Sequence, residues 1–138
     1  VHACYVDGAD VHIVMPHYRL GDLSRAGALS EAVAQYVAAQ VADCLAAMHA
    51  DGYIHGDIRR HHVLMDDSFN VTGKVVLTDF GFGTHATATT PGRCALDYMA
   101  PEVRIAAGSE VLFTPACDVF ALGVLLVAMP LGREPTSG

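Results

Sequence analysis

Two short apolar runs, Val63-Leu64-Met65 and Lys74-Val75-Val76-Leu77-Thr78, are separated by a turn-forming stretch that includes Asp66-Asp67 and Thr72-Gly73. A β-hairpin is the simplest structure such a pattern can form. Asp57 lies just before the first run and Asp79 just after the second. The two ends of an antiparallel hairpin meet, so the spacing predicts two carboxylates side by side at one mouth. Packing has no use for that arrangement; chemistry does.

The 138 residues are enough for one domain with a real core. A composition of 52% hydrophobic and 17% charged residues is that of a globular chain. The net charge of −7 argues against a fixed basic surface, and hence against nucleic acid as a partner. The eight histidines can lower that negative charge in mild acid. Cys4, Cys44, Cys94 and Cys117 form no C-x-x-C pair, which disfavours a zinc ribbon or a disulfide framework. Free thiols in a reducing, cytoplasmic compartment are expected, with Cys117 buried rather than reactive. The apolar run Val119 to Met129 is shorter than the roughly 20 residues a bilayer crossing needs, so it predicts a core helix and no membrane segment.

Asp7-Gly8 is a turn signal, and Val11-His12-Ile13-Val14-Met15 after it predicts a strand closed by Pro16. Arg19 to Leu23 predicts a loop entering a short helix. Ser30 predicts the N-cap of a long helix, from Glu31 to about His49, with Asp51-Gly52 as its stop. The apolar stripe of that helix is Val33, Val37, Val41, Cys44 and Met48, and Met15 and Met48 are expected in the core. Gly81 to Tyr98 is rich in Thr, Ala and Gly and predicts a long mobile loop. Pro115, capped by Thr114, opens a last helix that runs to Met129 and is ended by Pro130 and Gly132. No internal repeat or second domain is visible.

The stretch His55-Gly56-Asp57-Ile58-Arg59-Arg60-His61-His62 resembles the catalytic loop H-R-D-x-x-x-x-N of protein kinases, and Asp79-Phe80-Gly81 resembles their D-F-G. Tyr98-Met99-Ala100-Pro101-Glu102 is similar to the A-P-E segment. Asp118 to Leu125 is similar to the helix that follows, whose Asp holds the catalytic-loop backbone. Val14-Met15-Pro16-His17 resembles the hinge that meets adenine, with Met15 as gatekeeper. The resemblance covers nearly the whole chain. It implies an α+β, protein kinase-like fold: a mainly helical C-lobe with a catalytic hairpin and an incomplete N-lobe. It divides residues 1–138 into the end of the N-lobe and hinge strand, 1–16, and a C-lobe portion, 17–138.

The resemblance also implies roles. Asp57 is the catalytic base, and Arg59 is the cation that reaches the transferred phosphate. Met15, His17, Asp22 and Leu64 contact the nucleotide, with Asp22 near the ribose. Asp79 and His62 stand at the metal positions, and His55 props the loop. ATP and Mg2+ are the implied cofactors, with Mn2+ the alternative ion, and ATP and a protein substrate are the implied partners. The implied activity is transfer of the γ-phosphate to a protein Ser or Thr hydroxyl, with Tyr second. No G-x-G-x-x-G loop, strand lysine or partnering glutamate occurs, and Lys74, the only lysine, falls in the hairpin. The chain is thus expected to be the central part of a kinase domain, with poor ATP binding alone and an exposed apolar hinge region.

Several letters depart from the pattern. Gly56 replaces the Arg that pairs with an activation-loop phosphate, so Thr84, Thr87, Thr89 and Thr90 lose the usual lock. Ala95 falls where Ser/Thr kinases carry Thr. His62 replaces the metal-binding Asn, and imidazole is a poor magnesium ligand. A zinc site at His55, His61 and His62 matches no standard spacing. Three functions follow: an active kinase, a pseudokinase scaffold in which His62 has stopped chemistry, or a small-molecule phosphotransferase whose loop begins H-G-D. The A-P-E segment argues against the third.

Overall fold

Strands β1 (Ala3–Asp7) and β2 (Asp10–Val14) form an antiparallel hairpin, with Asp7 opposite Asp10. Gly8 takes φ +61° in the two-residue connection, where a hairpin turn favours glycine. The structure, a computed structural model, describes residues 1–86, 89–91, 96–105 and 110–135. Thr87, Cys94 and Ala95 lie outside them. The sequence predicts β2 and the turn at Asp7-Gly8, and gives no strand signal for β1. The period-two pattern that marks a half-buried strand is weak in β1, because every residue of both strands is exposed. Met15, expected in the core, is 36% exposed just after β2. The hairpin has no facing layer among the described residues, so its apolar side chains stay in solvent.

The main core begins at Leu23, in a 3-10 turn (Leu23–Arg25), and centres on α1 (Glu31–Ala50) and α4 (Pro115–Leu131). Ser30 caps α1: its Oγ accepts the Val33 N–H at 3.4 Å. Val37, Val41 and Leu45 are buried, and full burial of such a side chain is worth about 1.5–3 kcal/mol. Val33, Cys44 and Met48 pack on the rim of that core. Ala34 and Ala38 bring the helices close. Burial pushes the Cys44 thiol above its ordinary value.

Strand β3 (Tyr53–Ile54) precedes the loop, and a 3-10 turn (Arg60–His62) leads into β4 (Val63–Met65). A one-turn helix, α2 (Phe69–Thr72), then replaces the simple turn expected before β5 (Val75–Leu77). Strands β4 and β5 pair antiparallel, with Val63 opposite Leu77. The predicted hairpin therefore forms, and Phe69 of α2 reaches the core.

The expected loop from Gly81 to Tyr98 carries more structure than its composition announced. Strand β6 (Thr84–His85) pairs with β3, and β7 (Thr89–Pro91) pairs with a later strand. A 3-10 turn (Leu96–Tyr98) leads to α3 (Pro101–Ile105) and β8 (Glu110–Leu112), the partner of β7. Long-range backbone pairing, invisible to local composition, orders these segments. Ile54, Met99, Ala100, Val103, Phe113 and Cys117 form a second, smaller core. Cys117 is buried, as expected.

Helix α4 runs through Pro130 to Leu131, past the expected end at Met129. Pro130 sits in the last turn, and the Met129 carbonyl still accepts from Leu29 and Gly132. Thr114 is the N-cap residue, but its side chain makes no capping bond. Among the described residues no helix is long and apolar enough to cross a membrane. The architecture is α+β, with a helical body and small two-stranded sheets.

Candidate active site

Residues 55–62, with Gly56 their one glycine, must bend sharply between β3 and β4. What holds the bend is Asp118, on the first turn of α4. Its side chain is 1% exposed. Oδ2 accepts the His55 N–H and Oδ1 accepts the Gly56 N–H, each at 2.9 Å. His49, at the end of α1, adds its Nε2 at 2.8 Å from Oδ2. Asp118 was expected to hold this backbone, and it does. His49 was missed; its position in the last turn of α1 was the available signal.

His55 is buried inside the loop. Its Nε2–H donates to the Thr78 carbonyl at 3.1 Å, and its Nδ1 accepts the Asp57 N–H at 3.3 Å. Its ring lies 5.0 Å from that of Phe80. Burial holds the imidazole below its ordinary pKa, against the upward pull of the Thr78 bond and Asp118. His55 thus ties the start of the loop to the segment leading into Asp79.

Gly56 has φ +80°, and a Cβ there would stand 3.2 Å from the Phe82 carbonyl oxygen. The glycine that breaks the sequence pattern is therefore also a backbone device. We expect Gly56→Ala to cost about 1–2 kcal/mol in thermal unfolding, the usual penalty for a left-handed L-residue. An unchanged melting temperature would show that the loop relaxes freely.

Asp57 and Asp79 come together around His62, at the mouth that the hairpin spacing predicted. His62 Nδ1 lies 2.8 Å from the Asp57 carbonyl oxygen and 3.3 Å from Asp57 Oδ2. Its Nε2 lies 3.1 Å from Asp79 Oδ2. The carboxylates are thus linked through an imidazole. Asp57 is 3% exposed, and its buried Oδ1 has no hydrogen-bond partner among the described residues. Asp79 is the solvent-facing member, its side chain 51% exposed. It holds φ +62°, a conformation Asp tolerates, and its Oδ1 accepts the Gly81 N–H at 3.3 Å.

Arg59 lies over this group. Its Nε is 3.5 Å from Asp57 Oδ2, an electrostatic pairing rather than a hydrogen bond, and its guanidinium donates to His62 Nε2 at 3.1 Å. Arg60, which sequence reasoning passed over, is 2% exposed and donates to the Leu23 and Gly27 carbonyls at 2.7 and 3.1 Å. It anchors the loop to the segment before α1. Tyr98 donates to Glu134 at 2.6 Å, and burial with that carboxylate holds its phenol well above the usual range.

The expected nucleotide contacts divide into two sets. Asp22 and Leu64 are paired by a β-bridge, and Asp22 Oδ1 also accepts from the Ser24 N–H at 2.9 Å and from its hydroxyl. Met15 and His17 lie exposed beyond β2, with no hydrogen bond or ion pair to that pair among the described residues. Glu102 accepts the Cys117 thiol at 3.9 Å. Among the described residues no cluster of three or more His, Cys, Asp or Glu side chains is arranged to hold a metal.

A family model described as "Protein kinase domain" matches residues 1–138. The chain is 35% identical over 143 aligned positions to Serine/threonine-protein kinase PkaA of Streptomyces coelicolor, covering 96% of this chain and 23% of that protein. It is 33% identical to Protein kinase C eta type of Mus musculus, covering 96% of this chain and 19% of the relative. It is 30% identical to the Probable CTD kinase subunit alpha homolog of Encephalitozoon cuniculi, covering 91% of this chain and 38% of the relative. The chain therefore spans well under half the length of these curated relatives.

Proposed function

Because the chain belongs to the protein kinase domain family, we propose that it carries the catalytic part of an enzyme that transfers the ATP γ-phosphate to a protein Ser or Thr hydroxyl. The Ser/Thr choice leans on relatives such as Serine/threonine-protein kinase PkaA. The observation that carries the reading is the convergence of Asp57, Arg59 and Asp79 on one mouth around His62. We assign residues 1–16 to the end of the N-lobe and residues 17–138 to the C-lobe, and the free thiols fit a cytoplasmic setting.

In this mechanism the acceptor hydroxyl attacks the γ-phosphorus, its proton passes to Asp57, and ADP leaves with the bridging oxygen. Asp57 Oδ1 is buried without a partner among the described residues, so the proton goes to the carboxylate at Oδ2, the oxygen beside Arg59 and His62. Arg59 leaves its contact with Asp57 to meet the transferred phosphoryl group. Asp22 and Leu64, joined by their bridge, support the ribose and adenine side of the nucleotide. The Asp79 carboxylate fits Mg2+, whereas the imidazole of His62 does not. A divalent ion at Asp79 would neutralise the triphosphate.

A pseudokinase scaffold is the second reading, favoured by one observation: His62 fills the space between the two carboxylates. A small-molecule acceptor is weaker, given the A-P-E-like segment at residues 98–102. The test is labelled-phosphate transfer from ATP to a generic Ser/Thr protein substrate, with Mg2+ and then Mn2+, by this chain and by a longer parent protein. We expect transfer by the parent. No transfer with either metal would leave the scaffold.

A further inference from the structure

The loop that carries Asp57 and Arg59 ends in the 3-10 turn Arg60–His62, whose first N–H groups have no partner within the turn. The turn's own bond runs from the His62 N–H to the Arg59 carbonyl at 3.0 Å. Arg59, the N-cap residue, makes no capping bond with its side chain. A partner arrives from elsewhere in the chain. The Arg60 backbone N–H reaches the hydroxyl oxygen of Tyr98, a side chain only 3% exposed. That hydroxyl has one hydrogen, which goes to Glu134 Oε2 at 2.6 Å, within the range of a charge-assisted bond. Glu134 therefore turns the lone pairs of a buried phenol toward the loop. Its other oxygen, Oε1, lies 3.6 Å from His61 Nε2 and makes no hydrogen bond among the described residues. One carboxylate thus bridges the turn before α3 and the last turn of the catalytic loop.

Glu134 is placed by the backbone around it. Gly132 caps α4 at φ +65°, and a Cβ there would stand 2.6 Å from the Ala28 backbone nitrogen. The Leu29 N–H donates to the Met129 carbonyl at 3.0 Å. The chain leaving α4 is therefore pressed against the segment before α1. That segment also supplies the Leu23 and Gly27 carbonyls that take the Arg60 guanidinium. We propose that Glu134 is a positioning residue for phosphoryl transfer: through Tyr98 and His61 it fixes the C-terminal end of the loop whose other end Asp118 holds. That role rests on the kinase reading of the same loop. Asp57 and Arg59 lie between the two anchors, and a misplacement of about 1 Å in such groups can cost about 10²-fold in rate. A loosened end slows the chemical step and leaves nucleotide binding alone.

The experiment pairs amide hydrogen exchange of this chain, followed by NMR, with steady-state transfer by the longer parent protein. In Glu134→Ala we expect exchange at the Arg60 N–H to rise about tenfold relative to Val41 in α1, with a shift of the His61 Cε1–H signal. Tyr98→Phe should match that rise. The double variant should exceed neither single one, because both changes break the same bond. Glu134→Gln keeps an oxygen that accepts from Tyr98 and should restore most of the protection. In the parent, Glu134→Ala should lower kcat about tenfold and leave the KM for ATP unchanged. Unchanged relative exchange at Arg60, additive effects in the double variant, or a change confined to KM overturns the proposal. If Glu134→Ala unfolds, Tyr98→Phe, which removes a single oxygen, carries the comparison. Protection lost in the variants while the parent transfers nothing would sink the kinase reading and leave the anchor. Transfer by the parent with protection unmoved would do the reverse.

Discussion

Replacing Asp57 by Asn is expected to lower phosphotransfer by about 10²–10⁴-fold, the range for loss of a positioned general base. The substitution keeps the shape of the side chain and exchanges a proton acceptor for an amide. Asp57 is buried, its Oδ2 stands beside Arg59 and His62, and its Oδ1 has no partner among the described residues. The loss should therefore fall on the rate of the chemical step, with substrate binding little changed. Single-turnover transfer in the assay proposed above, with thermal unfolding as a fold control, measures it. A variant that folds and keeps the parent rate would remove Asp57 from the mechanism.

Asp118→Ala is expected to destabilise the fold by about 3–5 kcal/mol, the cost of taking one partner from a buried charged network. The loop N–H groups of His55 and Gly56 would lose the Asp118 oxygens that accept them, and His49 would lose its carboxylate. Each buried donor left unsatisfied costs about 1–3 kcal/mol. Asp118→Asn should be milder, because one oxygen still accepts while the amide NH2 faces a donor. Urea unfolding followed by circular dichroism gives both values. A loss below about 1 kcal/mol for Asp118→Ala would show that the loop is held by something else. These numbers matter because a domain of this kind is stable by only about 5–15 kcal/mol.

The hairpin of β4 and β5, the cap at Ser30, the span of α1 and the anchoring role of Asp118 were legible in the sequence. The first three rest on local signals, two apolar runs flanking a turn stretch and a hydroxyl ahead of an apolar stripe; the role of Asp118 was implied by the family resemblance and fits a carboxylate on an otherwise apolar helix. The misreadings share a different cause. β1 presents no buried face to generate a pattern. The pairing of β7 with β8 joins segments far apart in the chain, so composition read their surroundings as loop. Met15 looks like a core residue by type, yet among the described residues no layer covers the hairpin, and it is exposed.

The site divides in the same way. The sequence by itself determined which chemical groups are available: two aspartates bracketing a hairpin, an Arg beside the first, and a His where the resemblance calls for Asn. It also determined that Asp57 and Asp79 would meet, because antiparallel strands bring their ends together. Only the tertiary structure decided how they meet. Asp118 bends the loop from α4, Arg60 ties it to Leu23 and Gly27, and His55 clamps it to Thr78. Those three long-range anchors turn the His62 ring so that one nitrogen is fixed to the backbone of Asp57 and the other faces Asp79. Ring orientation is set by hydrogen bonds that close only after the core has packed, so no reading of residue order could supply it.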